Sequence, residues 1–107
     1  MGLMPTELLR VDQNITWLQT IIRPSDSGIE TDFHFSTEDG TLSVAIDMLP
    51  DSGFLSEVMQ TDCLAIREHS AEERGWTEND RFEIRINDND DVAFATIRGS
   101  HVRWGPM

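Results

Sequence analysis

The sequence predicts an α+β fold in which an antiparallel sheet of about four strands, built from two β-hairpins, is covered on one face by helices (α-ββ-α-ββ). Three observations lead to this fold class. An apolar stripe near the N-terminus has helical spacing, two later segments alternate apolar and polar residues around turn signals, and a capped helical segment lies between them. With 107 residues the chain has the usual size of one domain, which we assign to residues 1–107.

The N-terminal stripe recurs at alternating steps of four and three residues, as one face of a helix does. Its members are Met4, Leu8, Val11, Ile15, Leu18 and Ile22. Thr6 suits the N-cap of this helix, and Pro24 suits its end. Residues 15–22 are also rich in β-branched side chains, so a short helix through Asp12 followed by a strand is the alternative. We favour the long helix.

The first hairpin is predicted around Asp39-Gly40, a pair typical of two-residue type I′ turns. Apolar and polar residues alternate on both sides of this turn, and the large apolar side chains all fall on one face of the sheet. The predicted pairs are Thr37 with Leu42, Phe35 with Val44, and Phe33 with Ile46.

A second helix is predicted to begin at Asp51 or Ser52, either of which can cap it. Its inward residues would be Leu55, Val58 and Met59. The following segment has two interpretations. Residues 63–74 continue as helix, or residues 63–68 form a strand and residues 70–75 form a short helix with a capping box.

The second hairpin is predicted from the alternation over residues 82–86, the Asn/Asp-rich turn after it, and a return strand over residues 92–98. Two registers remain open, one pairing Ile84 with Phe94 and the other pairing Phe82 with Ile97. The tail, residues 99–107, is either an edge strand or a loosely docked segment.

These elements together predict a hydrophobic core drawn from both hairpins and both helices. Its predicted members are Leu8, Val11, Ile15, Leu18, Phe33, Phe35, Val44, Ile46, Leu55, Val58, Phe82, Ile84, Phe94 and Ile97.

The charge distribution is the strongest indication of function. The net charge is −12, with eight arginines and no lysine, and residues 24–66 hold nine acidic residues and no basic one. Phosphate contacts need clustered cations, so direct binding to nucleic acid is disfavoured. An acidic field also repels anionic membranes and favours a basic protein partner. Self-association into a homo-oligomer stays open.

Several kinds of site are disfavoured by the residue pattern. His34, His69, His101 and Cys63 lack the tight pairs that structural zinc sites use, and His34 is expected on a solvated strand face. A pairing of Cys63 with His69 as nucleophile and base has no third group to orient it. We therefore expect no metal, no cofactor and no enzymatic activity.

The longest apolar run, Val92 to Ala95, is far shorter than a membrane span or a signal peptide requires. The lone cysteine also agrees with a reducing compartment. We expect a cytoplasmic protein.

Three functions fit these observations. The favoured one is an acidic protein that neutralises a basic macromolecular partner, as an inhibitor, an immunity protein or a nucleic-acid mimic does. The second is an assembly module of a viral particle or a multi-subunit complex, and the third is adaptation of a halophile's surface to salt. The predicted partner contacts are Asp26, Glu30, Asp32, Glu38 and Asp39, with Trp104 as an exposed aromatic anchor.

Overall fold

The computed structural model describes residues 5–26, 28–70, 78–88 and 92–107. Within these ranges, eight strands form two four-stranded antiparallel sheets. The strands are β1 (Thr6–Val11), β2 (Thr16–Ser25), β3 (Gly28–Thr37), β4 (Gly40–Ile46), β5 (Leu64–Glu68), β6 (Phe82–Ile86), β7 (Ala95–Gly99) and β8 (Val102–Pro106). The helical elements are α1 (Ser52–Val58) and one 3-10 turn at Glu78–Asp80.

The two sheets pack around one hydrophobic core. The first sheet has the strand order β1-β5-β6-β7 and the second has the order β2-β3-β4-β8. Core residues come from both sheets and from α1, where the ring of Phe54 lies 5.4 Å from that of Phe33, centroid to centroid. The predicted α+β class is therefore wrong: the described chain is mostly β, and the two hairpins expected to share one sheet belong to different sheets.

The predicted N-terminal helix is also wrong, although the alternative strand over residues 15–22 is confirmed as part of β2. Of the predicted stripe, Met4 lies outside the described residues. Leu8 and Val11 lie on β1 and Leu18 and Ile22 lie on β2, and the two strands belong to different sheets. Asn14 lies in the link between them with φ 57°, a left-handed conformation that asparagine tolerates better than most residues. This link carries the chain from one sheet to the other.

The first hairpin is confirmed, but its predicted register is wrong by two residues. Phe33 pairs with Val44, and the turn residues are Glu38 and Asp39, between Thr37 and Gly40. The Thr37 hydroxyl accepts a hydrogen bond from the Asp39 N–H (3.2 Å) and donates one to the Gly40 carbonyl (3.1 Å), which fixes the turn one residue earlier. Because side chains alternate with a period of two, this shift leaves the same residues facing the core.

Asp51 caps α1, as predicted, by accepting a hydrogen bond from the Phe54 N–H at 2.7 Å. Val58 faces the core, but Met59 is exposed, so its predicted inward position is wrong. After α1 the strand alternative is confirmed as β5. The predicted short helix over residues 70–75 falls mostly outside the described residues.

The second hairpin has neither of the two predicted registers, since Ile84 pairs with Ile97 and Phe82 with Gly99. The return strand begins only at Ala95, and the chain leaves β6 at Asn87, whose φ is 56°. The tail forms β8, the edge strand that was one of its two predicted interpretations, and pairs with β4.

Most of the predicted core is confirmed. The buried members are Ile15, Phe33, Phe35, Val44, Ile46, Val58, Ile84 and Ile97. The predicted core positions of Leu18 and Phe94 are wrong, because these side chains are 49% and 75% exposed. Leu18 lies at an irregularity in the β2–β3 pairing, and Phe94 precedes β7. The prediction missed the buried residues Phe54, Leu64, Ile66 and Ile86.

Candidate functional site

The outer face of the second sheet holds a compact polar network centred on Asp32. Its carboxylate accepts hydrogen bonds from Ser43 Oγ (2.6 Å) and Arg23 Nη2 (2.9 Å), and His34 Nε2 lies 3.0 Å from it. Burial acts to raise the pKa of Asp32, but the hydrogen bonds from Ser43 and His34 outweigh burial and lower it. Asp32, a predicted partner contact, is only 5% exposed, and its charge is already matched within the protein.

His34 belongs to the same network and is buried, so its predicted place on a solvated face is wrong. Its Nδ1 lies 3.0 Å from Gln19 Nε2 on β2. Although serine, histidine and aspartate meet here, Ser43 donates to Asp32 and not to the imidazole. A serine nucleophile needs the histidine as its base, so the order of these contacts differs from that of a catalytic triad.

Glu30, another predicted contact, is bound by two arginines on the same face. Arg103 Nη2 donates to its carboxylate at 2.6 Å, and Arg23 lies within 3.3 Å. The hydrogen bond from Arg103 lowers the pKa of Glu30.

On the first sheet, three arginines surround Asp88. Arg10 Nη2, Arg85 Nη2 and Arg67 Nη2 lie 2.7, 3.1 and 3.5 Å from its carboxylate oxygens. The Asp88 side chain is fully buried. Burial acts to raise its pKa, but the arginines outweigh burial and hold the pKa of this carboxyl below its usual value. Because these arginines pair with a buried carboxylate, they do not form a surface that binds phosphate.

Among the described residues, carboxylates lie within 4 Å of six arginines: Arg10, Arg23, Arg67, Arg81, Arg85 and Arg103. Arg98, with its Nε buried and without a hydrogen-bond partner, has no such ion pair in the same ranges. Five exposed acids of the described chain have no cation beside them: Asp26, Glu38, Asp39, Asp62 and Asp51, the cap of α1. Six of the arginines in the described chain are thus neutralised internally, whereas these exposed carboxylates keep their negative charge.

Two of these acids, Glu38 and Asp39, line a groove of about 550 Å³. We call this feature the hairpin groove; it lies between the C-terminal part of β1 and the tip of the β3–β4 hairpin. Asp12, from the link after β1, adds a third carboxylate, and Asn14 donates a hydrogen bond to Glu38. The apolar lining comes from Leu9, Val11, Leu42 and Pro106.

The structure therefore brings together Glu38 and Asp39 among the predicted contacts and separates the others from them. Asp26 is exposed in the turn after β2. Trp104, 38% exposed, lies on β8 beside a second groove of about 460 Å³ that Asp32 and His34 also line. Sequence reasoning missed Asp12, because this acid lies outside residues 24–66, the basic-free stretch from which the acidic contacts were predicted.

Neither the cysteine nor the remaining histidines form a reactive cluster. Cys63 is buried, and burial raises the pKa of its thiol. His69 Nε2 lies 3.0 Å from Glu83 Oε1. Among the described residues, no group of three His, Cys, Asp or Glu side chains could hold a metal ion. In the same part of the chain, no helix is long and apolar enough to cross a membrane.

Comparison with known proteins gave no match: no family model fits the chain, and neither a curated protein nor a solved structure matches it significantly.

Proposed function

We propose that this protein binds a basic macromolecular partner through its acidic surface and neutralises it, as an inhibitor, an immunity protein or a nucleic-acid mimic does. The observation that supports this function is the internal pairing of the arginines, which leaves Asp26, Glu38, Asp39 and Asp62 exposed without cations of their own. A partner that supplies the missing cations gains attraction at long range, and its association is accelerated.

A capture experiment tests the proposal. The tagged protein is incubated with lysate of its native host at moderate salt, and a variant with Asp26→Asn, Glu38→Gln, Asp39→Asn and Asp62→Asn is treated in parallel. We expect the native chain to retain a basic protein that high salt releases, because added ions screen surface charges. The variant should retain much less of it.

The retained protein is then purified and titrated by calorimetry over a series of NaCl concentrations. The proposal requires a Kd that weakens as NaCl rises, and a weaker Kd for the variant at every concentration. A variant that binds as tightly as the native chain would exclude the acidic surface as the binding element. Equal urea midpoints for the two chains serve as the control for folding.

A second candidate function, assembly by strand addition, is favoured by the length of the edge strand β2. Ten residues long, it borders the second sheet and exposes Leu18 and Ile22. An edge of this kind can pair with a strand of another chain. Light scattering after size-exclusion chromatography distinguishes the two functions by measuring the mass of the protein in solution. An oligomer that persists at high salt, and that the substitution Leu18→Lys dissociates, would favour assembly.

Adaptation to a saline habitat is the third explanation of the acidity. It requires the stability of the protein to depend strongly on molar salt, and it predicts no retained partner. The same capture experiment, together with urea unfolding at low and high NaCl, tests it.

A further inference from the structure

We infer that the hairpin groove is the docking site for one segment of the basic partner, in which a lysine or arginine stands next to an apolar residue. This inference rests on the proposed function and adds to it the place of contact and the chemistry of the bound segment. It is drawn from the two kinds of surface that the groove combines.

The apolar lining is the first of these surfaces. Leu9 and Val11 approach it from the first sheet, and Leu42 and Pro106 approach it from the second. All four are at least partly accessible, since none of them belongs to the fully buried core. At about 550 Å³, the groove falls within the usual size of ligand sites and has room for a few side chains. An apolar side chain placed there removes apolar surface from water on both partners.

The charge at the rim is the second surface. Asp12, Glu38 and Asp39 contribute three carboxylates, whereas Arg10 is the sole cation among the lining residues. Arg10 is already occupied, with hydrogen bonds to Glu7 (2.7 Å), to Asp12 (3.1 Å) and to Asp88 (2.7 Å). The rim therefore keeps a negative charge that a lysine or arginine complements, and it repels an anionic segment.

The occupant is a different protein and not a second copy of this chain. The chain has no lysine, and among its described arginines only Arg98 lacks an acidic partner. Arg98 lies on β7 with its Nε buried, which leaves it poorly placed to enter a groove on a neighbouring molecule. A basic partner offers free cations, so charge complementarity selects it.

The inference is tested by nuclear magnetic resonance on the ¹⁵N-labelled full chain with synthetic peptides as probes. The first peptide is an acetylated, amidated octapeptide of alternating lysine and leucine, and the second alternates lysine and serine. We expect the lysine–leucine peptide to shift the amide signals of Asp12 and of residues 37–42. Its Kd should be roughly tenfold tighter than that of the lysine–serine peptide, because one leucine is buried.

Two variants with the same loss of charge provide the matched control. Glu38→Gln/Asp39→Asn neutralises the rim of the hairpin groove, whereas Asp26→Asn/Asp62→Asn neutralises two free acids outside it. The first should weaken binding of the lysine–leucine peptide about fivefold, and the second should leave it nearly unchanged.

Three outcomes would overturn the inference. They are shifts spread evenly over the acidic surface, equal affinities for the two peptides, and equal losses in the two variants. Each of them leaves salt-dependent capture of a basic protein intact, so the docking site can fail while the proposed function stands. If capture fails but the peptide still binds in the groove, the proposed function is wrong and the groove remains a site for cationic segments.

Discussion

Gly99, the last residue of β7, occupies a position at which a side chain does not fit. A Cβ placed there would lie 2.5 Å from Asp47 Oδ1 and 2.9 Å from Ile46 Cγ1. Ile46 belongs to the core, and Asp47 is held by a hydrogen bond from the His101 N–H (2.9 Å), so neither can move aside easily. We expect Gly99→Ala to lower the free energy of unfolding by about 1–3 kcal/mol.

Urea unfolding of Gly99→Ala checks this prediction against Gly105→Ala, a matched control on β8. A Cβ at Gly105 meets no atom within 4 Å, so this variant should stay within about 0.5 kcal/mol of the native chain. If Gly99→Ala and Gly105→Ala are equally stable, the closeness of Ile46 and Asp47 does not prevent a side chain at position 99.

The sequence predicted the candidate site only in part, because it could not show which acidic side chains pair with arginines. Glu38 and Asp39 were identified because they belong to a basic-free stretch, and both prove to be exposed and without an ion pair among the described residues. Asp32 and Glu30 belong to the same stretch, yet arginines from β2 and β8 bind them. Which acid meets an arginine depends on strand neighbours, and composition carries no information about strand order.

At the scale of elements, α1 depends on its cap because it is only seven residues long. Asp51 accepts a hydrogen bond from the Phe54 N–H, and Phe54 is buried against the core. Asp51→Ala removes this bond, and we expect it to lower the free energy of unfolding by about 1 kcal/mol. Asp62→Ala removes the same charge without a cap, so it should be nearly neutral in the same urea titration. Equal effects would mean that lost charge, not lost capping, is responsible.

The elements also show why local patterns predicted the first hairpin and not the N-terminal strands. In the β3–β4 hairpin, partner strands are adjacent in sequence, and alternation together with a turn determines the pairing within two residues. β1 instead pairs with β5, and β2 lies in the other sheet. Each strand alone shows a short, half-exposed pattern, and their combined spacing imitates a helix.

At the scale of the whole molecule, carboxylates that pair with arginines connect stability to pH. The pKa values of Asp88, Asp32 and Glu30 lie below their usual range in the folded protein. Groups of this kind stabilise the fold above their unfolded pKa, near about 4, and lose that contribution as pH falls through the lower folded value. We therefore expect the free energy of unfolding to fall as pH drops below about 4.

Asp88→Asn separates the contribution of one carboxylate from the rest. At pH 7 the substitution leaves three arginines around a neutral side chain, and we expect a loss on the order of 3 kcal/mol. As pH falls below about 4 towards the lowered pKa of Asp88, the carboxylate loses its contribution to stability, so the difference between the two proteins should shrink. Urea unfolding of both chains between pH 7 and pH 2 measures this difference. A constant difference across that range would contradict the role given to the Asp88 charge.

The strand order has a consequence for how fast the chain reaches this fold. β2, β3 and β4 follow one another and can pair through short connections, whereas Leu42 must find Pro106 and Val11 must find Leu64. Closing such long loops loses chain entropy before any contact compensates for it. The antiparallel unit of β2, β3 and β4 is therefore expected to form early, whereas β1 and β8 are expected to join their sheets late. The whole chain should fold on the slow millisecond-to-second scale of proteins with distant strand pairs.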